Sequence, residues 1–509
     1  MAVGVAIAGP GRAGARCGMI PGVSRLMTRR LALVGAVILT AGILFGYDQG
    51  VISGALRGIE ADFDLKTTMV EVVTSFVTLG ALVGALVAGA LADRFGRRPA
   101  VLAAGVLFIA GALVEAFAPG SAVLVVGRLT VGVAVGVASV AAPLYAAEMA
   151  PTRLRGTFVS TYQFGITFGI FVAYLVDEWL QSGSGWRLML GLSAVAGVLL
   201  IVLLLPLRDT PRWYLRAGRP AEAEAELARI HPGDSEARFR ELEESLADEP
   251  TDVAWREVFA RRWRTPLVIG LGLAVFQQIT GINAIIYYAD KIFAAAGFSS
   301  PADQTAATTW AIGAVNVLAT LIAIAFVDRL GRKPLLVAGL LGMAVSLSVV
   351  GVAFLSIDDP VTAGASAATS SGRPSDAGII MLVALVVYIA SFAFSMGPIV
   401  WTMINEIYPR SVRGRAVSVA TAANWFSAWV VSQFFLSVVD AVGESVTFWI
   451  FAALSVVCLV WIVAKVPETR GRTLEEIEAM WGGDDPTGIS VDGATAAPTD
   501  APTDGAARA

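Results

Sequence analysis

Residues 91–99 read LADRFGRRP, and residues 326–334 read FVDRLGRKP. A displacement of 235 positions takes Asp93 onto Asp328, and the same displacement takes Gly46 onto Gly281 and Asp48 onto Asn283. Farther along, EMAPTRLRG at 148–156 returns as EIYPRSVRGR at 406–415, where Glu148 meets Glu406 after 258 positions. The extra residues fall between these landmarks, most naturally in the Ala/Ser-rich stretch 357–377. The chain reads as one unit written twice.

The composition around these motifs is that of a membrane protein. Of 509 residues, 56% are hydrophobic and only 15% charged, against about a quarter charged in soluble domains. Apolar windows of about 20 residues, enough to cross roughly 30 Å of hydrocarbon, recur along the chain. Twelve spans are expected, at about 31–55, 70–92, 99–118, 121–147, 157–180, 186–206, 264–295, 304–327, 334–356, 378–405, 414–439 and 445–466. The 52 glycines suit close packing of membrane helices. Alternate loops are basic, carrying Arg94, Arg97 and Arg98, then Arg153 and Arg155, then Arg329, Arg332 and Lys333, then Arg410, Arg413 and Arg415. The remaining loops carry Asp62, Asp64, Asp177, Glu178, Asp358, Asp359, Asp440 and Glu444. Basic loops mark the cytoplasmic side, which places both termini there. Duplicated halves about a midplane site are the build of a secondary transporter.

Cys17 and Cys458 are the only cysteines and His231 is the only histidine. A disulfide framework is excluded, and a zinc or histidine-based catalytic centre within the membrane is disfavoured. Residues 207–263 are charged, and AEAEAELARI and EARFRELEESLADE have helical spacing, which predicts two or three short cytoplasmic helices. The first 24 residues lack a basic stretch ahead of an apolar core, so no cleaved signal is expected. The tail past Met480 is rich in Gly, Asp, Thr, Ala and Pro and is expected to lack order.

Taken together, DRFGRR, DRLGRK, GRLTVGVAVG, QQITGINAIIYY, GPIVWTMINEIYP and PETRGRTLEEIE resemble the sugar porter family of the major facilitator superfamily, over about residues 31–480. Within it the chain is similar to the bacterial xylose–proton and glucose–proton symporters. The resemblance implies an ion-pair network latching the two halves on the cytoplasmic side, made by Asp93, Arg94, Arg97, Glu148 and Arg155 with Asp328, Arg329, Arg332, Glu406 and Arg413. Exposed pairs are worth about 1 kcal/mol or less each, which suits a latch that opens in every cycle. By the same motifs the sugar-contacting positions fall on Phe45, Gln163, Gln277, Gln278, Asn283, Asn316, Trp401, Asn424 and Trp425, and an outer gate falls on Tyr287 and Tyr288. Ile170 stands where the xylose symporter has a glutamine, which tilts the expected sugar toward a hexose.

The chemistry of these residues agrees. Amides donate and accept, as sugar hydroxyls do. On an unbroken helix Gln278 and Asn283 point about 140° apart, at 100° per residue. They converge only if the span unwinds, which Gly281 allows, and a broken helix is tolerated at membrane depth where it lines a cavity. Gly397–Pro398 offers a second break beside Trp401, whose indole face suits the C–H face of a pyranose.

Asp48 lies about 25 Å into the first span and Arg128 about 10 Å in from the outer end of the fourth, at 1.5 Å per residue. In a core about 30 Å thick those depths are similar, so the two can pair. A carboxylate within the membrane is costly and is as a rule functional or paired. Burial and an adjacent guanidinium oppose each other in setting its charge, which is what a coupling group needs. Proton-coupled members of the family carry Asp in this motif, and the animal facilitators carry Asn. Glu115, near the outer end of the third span, reads as a rim residue.

The expectation is an all-α membrane protein with twelve transmembrane helices in two six-helix pseudo-symmetric halves, the major facilitator fold. Its parts are a tail over 1–30, a bundle over 31–206, a helical linker over 207–263, a bundle over 264–466, and a tail over 467–509 without order past about 482. The resemblance implies a proton-coupled symporter importing a monosaccharide, hexose rather than pentose, by alternating access. An uncoupled facilitator, an inositol or polyol symporter and a transporter-like sugar sensor are the alternatives, and an enzyme is not expected. No cofactor or metal is implied, the proton being the coupling ion. The expected partners are a small sugar, a proton and the lipid bilayer, without nucleic acid. The chain is expected to be a monomer in the plasma membrane with both termini cytoplasmic.

Overall fold

The computed structural model describes residues 29–151, 155–181, 185–230, 233–247, 255–358, 375–409, 412–470, 476–477 and 480–481. Among them every regular element is helical. The first half comprises α1 (Arg29–Phe63), α2 (Thr67–Phe95), α3 (Arg97–Ala116), α4 (Ser121–Met149), α5 (Arg155–Leu180) and α6 (Trp186–Leu204). In the second half α7 comes in three pieces, Arg264–Ile279, Ile282–Tyr287 and Ala289–Ala295. Next is α8, built from Pro301–Ala307, a π-helical turn at Thr308–Ala314, and Val315–Leu330. Then come α9 (Arg332–Asp358), α10 (Asp376–Phe394, then Met396–Ile407), α11 (Arg413–Val442) and α12 (Glu444–Lys465). Among the described residues, eleven helical stretches are long and apolar enough to cross a membrane. α5, 26 residues long, packs beside α1.

Helices prevail because backbone N–H and C=O groups find no water in hydrocarbon and must pair within their own segment. The duplicated motif makes the sharpest turns. Gly96 is the one residue between α2 and α3, at φ 108°, and Gly331 is the one residue between α8 and α9, at φ 93°. That region costs a side-chain-bearing residue energy and costs glycine little. The basic residues of both motifs thus emerge at one end of the bundle, here called the basic face.

Two sequence expectations are corrected. Asp177 is not in a loop: α5 runs on past it, and its buried carboxylate accepts the Gly54 N–H at 3.2 Å. Among the described residues the linker holds four short α-helices, Pro211–Arg216, Pro220–Ile230, Ser235–Ala247 and Trp255–Val258. The first is too brief to show as periodicity. It is set by Pro211 and by the Thr210 hydroxyl, which accepts the Trp213 N–H. Glu226 of the second is fully buried and takes Arg30 at 2.6 Å, fastening the linker to the start of α1. Residues 1–28, most of the 357–377 stretch, and the tail past 481 lie outside the described residues.

Candidate functional site

Asp48 on α1 and Arg128 on α4 are both buried, and Arg128 Nη1 donates to Asp48 Oδ1 at 2.8 Å. Arg128 Nε donates to the Val73 carbonyl of α2. Glu115 joins them. It is 1% exposed, with Oε1 3.7 Å from the same Nη1. The rim assignment is therefore wrong. Depth along α3 suggested it, but rotation about the helix axis decides, and Glu115 turns inward against Gly127 of α4. A Cβ at Gly127 would meet Glu115 Cγ at 2.6 Å, so only a bare backbone leaves room for this acid.

The amides form a string. Gly281, at φ 100°, interrupts α7. With the helix broken, Asn283 Nδ2 donates to Gln278 Oε1 at 2.8 Å. Gln278 Nε2 donates to Asn424 Oδ1 on α11, and Asn424 Nδ2 donates to Gln277 Oε1. Gln277 Nε2 donates to the carbonyls of Met396 and Gly397 at the α10 break. At the other end Gln49 Nε2, on α1, donates to Asn283 Oδ1 at 3.2 Å and to the Tyr287 hydroxyl at 3.3 Å. Gln49 is absent from the sequence expectation. It follows Asp48 directly, and it is the residue through which the string reaches the first half.

The other expected sugar contacts gather around this string. Phe45 and Trp425 face each other across the halves with ring centroids 5.2 Å apart. Gln163 on α5 comes close to Gly397, where an added Cβ would lie 3.8 Å from its Nε2. Asn316 is buried just past the π-helical turn of α8. Trp401 is half-buried, and Asn405, one turn nearer the basic face, is exposed.

Opposite the basic face the halves are fastened together. Glu71 on α2 accepts from the Ser437 N–H and hydroxyl on α11 at 2.6 and 2.7 Å, and Ser75 donates to Gln433 at 2.7 Å. Lys291 pairs with Glu60 at 2.7 Å, and Arg57 reaches Gln304. Tyr287 and Tyr288 are fully buried within this seam, Tyr288 donating to the Ser432 carbonyl and stacking on Phe435.

Among the described residues, the ion pairs of the basic face that involve the expected latch lie within each half. In this conformation each half closes its own clamp. Arg97 pairs with Glu148 at 3.0 Å and with Asp93 at 3.1 Å, and Arg332 pairs with Glu406 at 3.3 Å. Thr210 donates to Glu148, and Thr469 donates to Glu406. Asp209 accepts the Arg97 N–H at the start of α3, while Glu468 accepts the Arg332 and Lys333 N–H groups at the start of α9. The Asp209–Thr210 pair is a residue set the motifs did not flag, although RDTPR at 208–212 parallels PETRG at 467–471. Arg94 lies over the Phe95 ring, and Arg413 Nε donates to the Tyr408 carbonyl. The side chains of Arg155, Asp328 and Arg329 lie outside the described residues.

The two caps differ electrically. Burial pushes the Asp209 carboxyl up, against the pull of backbone N–H groups. Burial also pushes Glu468 up, but more weakly than the N–H groups of Arg470, Lys333 and Arg332 together pull it down, so its net displacement is downward. A lowered carboxyl contributes stability that is full above its unfolded value, about 4.3, and fades as pH falls through the folded value. Glu468→Gln is therefore expected to destabilise at neutral pH by no more than about 1 kcal/mol, since solvent screens this partly exposed group, with the gap to the parent closing in acid. Thermal melts in detergent at a series of pH values check it, and a gap independent of pH contradicts it.

The profile of the family described as "Sugar (and other) transporter" matches residues 34–481. A galactose-proton symporter of Escherichia coli (strain K12) is 38% identical over 441 residues, covering 86% of this chain and 91% of the relative. An arabinose-proton symporter of the same strain is 37% identical over 454 residues, covering 89% and 93%. The solved inward open conformation of the xylose transporter XylE from E. coli superposes with a TM-score of 0.73 at 30% identity, covering 89% of this chain and 100% of that one.

Proposed function

Since the chain belongs to the Sugar (and other) transporter family, we propose that it carries a monosaccharide together with a proton across the plasma membrane by alternating access. One observation supports this above the others. Asp48, ion-paired to Arg128, is followed directly by Gln49, which is hydrogen-bonded to Asn283 of the amide string. A charge change at Asp48 loosens α1 from α4, and the next residue of α1 holds the sugar-binding amides. Proton and sugar are coupled through a single peptide bond.

With the basic face cytoplasmic, the seam through Glu71, Gln433 and Lys291 closes the outside. The amides satisfy one another in this state. Sugar hydroxyls replace those bonds one for one, which keeps the net cost of entry small. One charge crossing 100 mV supplies about 2.3 kcal/mol, enough for roughly 40-fold accumulation at 1.4 kcal/mol per decade. A hexose is the proposed substrate. Ile170, 2% exposed, offers no amide to the site, and an extra hydroxymethyl group is easier to seat beside an apolar wall.

The test is uptake of labelled hexose, pentose and inositol into proteoliposomes, with and without an imposed pH gradient. Hexose rising above equilibrium only when the interior is alkaline is the expected result. Equal filling with no gradient makes the protein a facilitator, and preference for inositol makes it a polyol carrier.

A further inference from the structure

We propose that Glu115 is the stand-in counter-ion of Arg128: when a proton neutralises Asp48, the guanidinium passes to Glu115. The inference rests on the coupling reading above and deepens it. One nitrogen, Arg128 Nη1, stands 2.8 Å from Asp48 Oδ1 and 3.7 Å from Glu115 Oε1. Glu115 Oε1 and Arg128 Nη2 are both buried, and neither has a hydrogen-bond partner. An unpaired donor and an unpaired acceptor in one sealed cluster are each costly. A small rotation of the guanidinium joins them and releases Asp48.

Charge gives the reason for a second acid. With Asp48 and Arg128 alone, protonating Asp48 would strand a buried guanidinium, the costly outcome of breaking a buried pair. With Glu115 ionised, neutralising Asp48 takes the cluster from one negative charge in excess to a neutral set and leaves the guanidinium a carboxylate to pair with. Proton binding then discharges the site. In the step, a proton from the outer water forms an O–H bond on Asp48, and the guanidinium, protonated throughout, moves its hydrogen bond to Glu115. Release to the cytoplasm reverses both, and one proton moves per cycle.

Other charged or titratable groups around the cluster are engaged elsewhere. Tyr287 of α7 accepts from Gln49, and Glu71 of α2 accepts from Ser437. Arg187 at the start of α6 donates to the Ala118 carbonyl and lies 3.9 Å from Asp62. Among the described residues they leave Glu115 as the acid within reach of Arg128 besides Asp48.

The experiment is uphill sugar uptake by reconstituted wild type, Glu115→Gln, Glu115→Asp and Asp48→Asn over an external pH series. Glu115→Gln is expected to move half-maximal accumulation toward acid by about one pH unit, a tenfold higher proton requirement, while Glu115→Asp restores most of the parental profile. An unmoved midpoint, or an equal loss at every pH, is what a purely structural Glu115 would give and overturns the inference. Accumulation persisting in Asp48→Asn instead defeats the coupling reading beneath it. A structure of Asp48→Asn, which mimics the proton-loaded site, serves if Glu115→Gln does not fold. Arg128 is expected within hydrogen-bond distance of Glu115 there, and an unchanged 3.7 Å separation overturns the inference.

Discussion

Asp48→Asn is expected to abolish accumulation of sugar against a gradient while sugar exchange across the vesicle membrane persists. The two side chains are nearly isosteric, so the variant keeps the shape of the site where Asp48 Oδ1 now accepts from Arg128 at 2.8 Å. What disappears is the ability to change charge. Without it the carrier moves sugar downhill only, and the roughly 40-fold gain per 100 mV falls to unity. Losing one member of a buried pair ordinarily costs about 3–5 kcal/mol. Glu115, 3.7 Å from the guanidinium, softens that penalty, so the variant is expected to fold. Accumulation ratio, counterflow exchange and sugar-induced alkalinisation of the medium are the three measurements. A variant that still concentrates sugar, or still alkalinises the medium, refutes proton coupling through this residue.

Gln277→Ala is expected to weaken sugar binding on the order of 10- to 100-fold. Gln277 stands at the junction of three elements: it donates to the α10 break and accepts from Asn424 and from Gln278. Truncation removes a sugar partner and one acceptor of the Asn424 amide, which keeps the Ala274 carbonyl and Gln278, and a buried donor left unpaired costs about 1–3 kcal/mol. The coupling machinery is untouched, so at saturating sugar the proton signal remains. Calorimetry in detergent and the sugar dependence of alkalinisation separate the two effects. Unchanged affinity would place the sugar elsewhere.

Much of this was legible in the sequence, for reasons that can be named. Asp48 and Arg128 could be brought together by counting, because helical rise turns residue number into depth and the membrane supplies a common ruler. The α7 break could be placed at Gly281, because two amides five residues apart meet only around such a break. Glu115 was misread because a ruler measures depth, while its orientation depends on the notch that Gly127 leaves in the facing helix. Gln49 was in plain view beside Asp48, yet its role needs the position of Asn283 on a distant segment. The clamps depend on conformation. The same motif residues can pair within or between halves, and sequence alone does not say which state is occupied.

The twin clamps also bear on ancestry. Arg97 and Glu148 are joined by Asp209 and Thr210 of the first half and its linker, and Arg332 and Glu406 are joined by Glu468 and Thr469 of the second half. Each half thus carries a corner brace of its own. What duplication allowed was divergence. One copy could keep an aspartate for the ion while the other, at the corresponding place, traded it for an asparagine to hold the cargo.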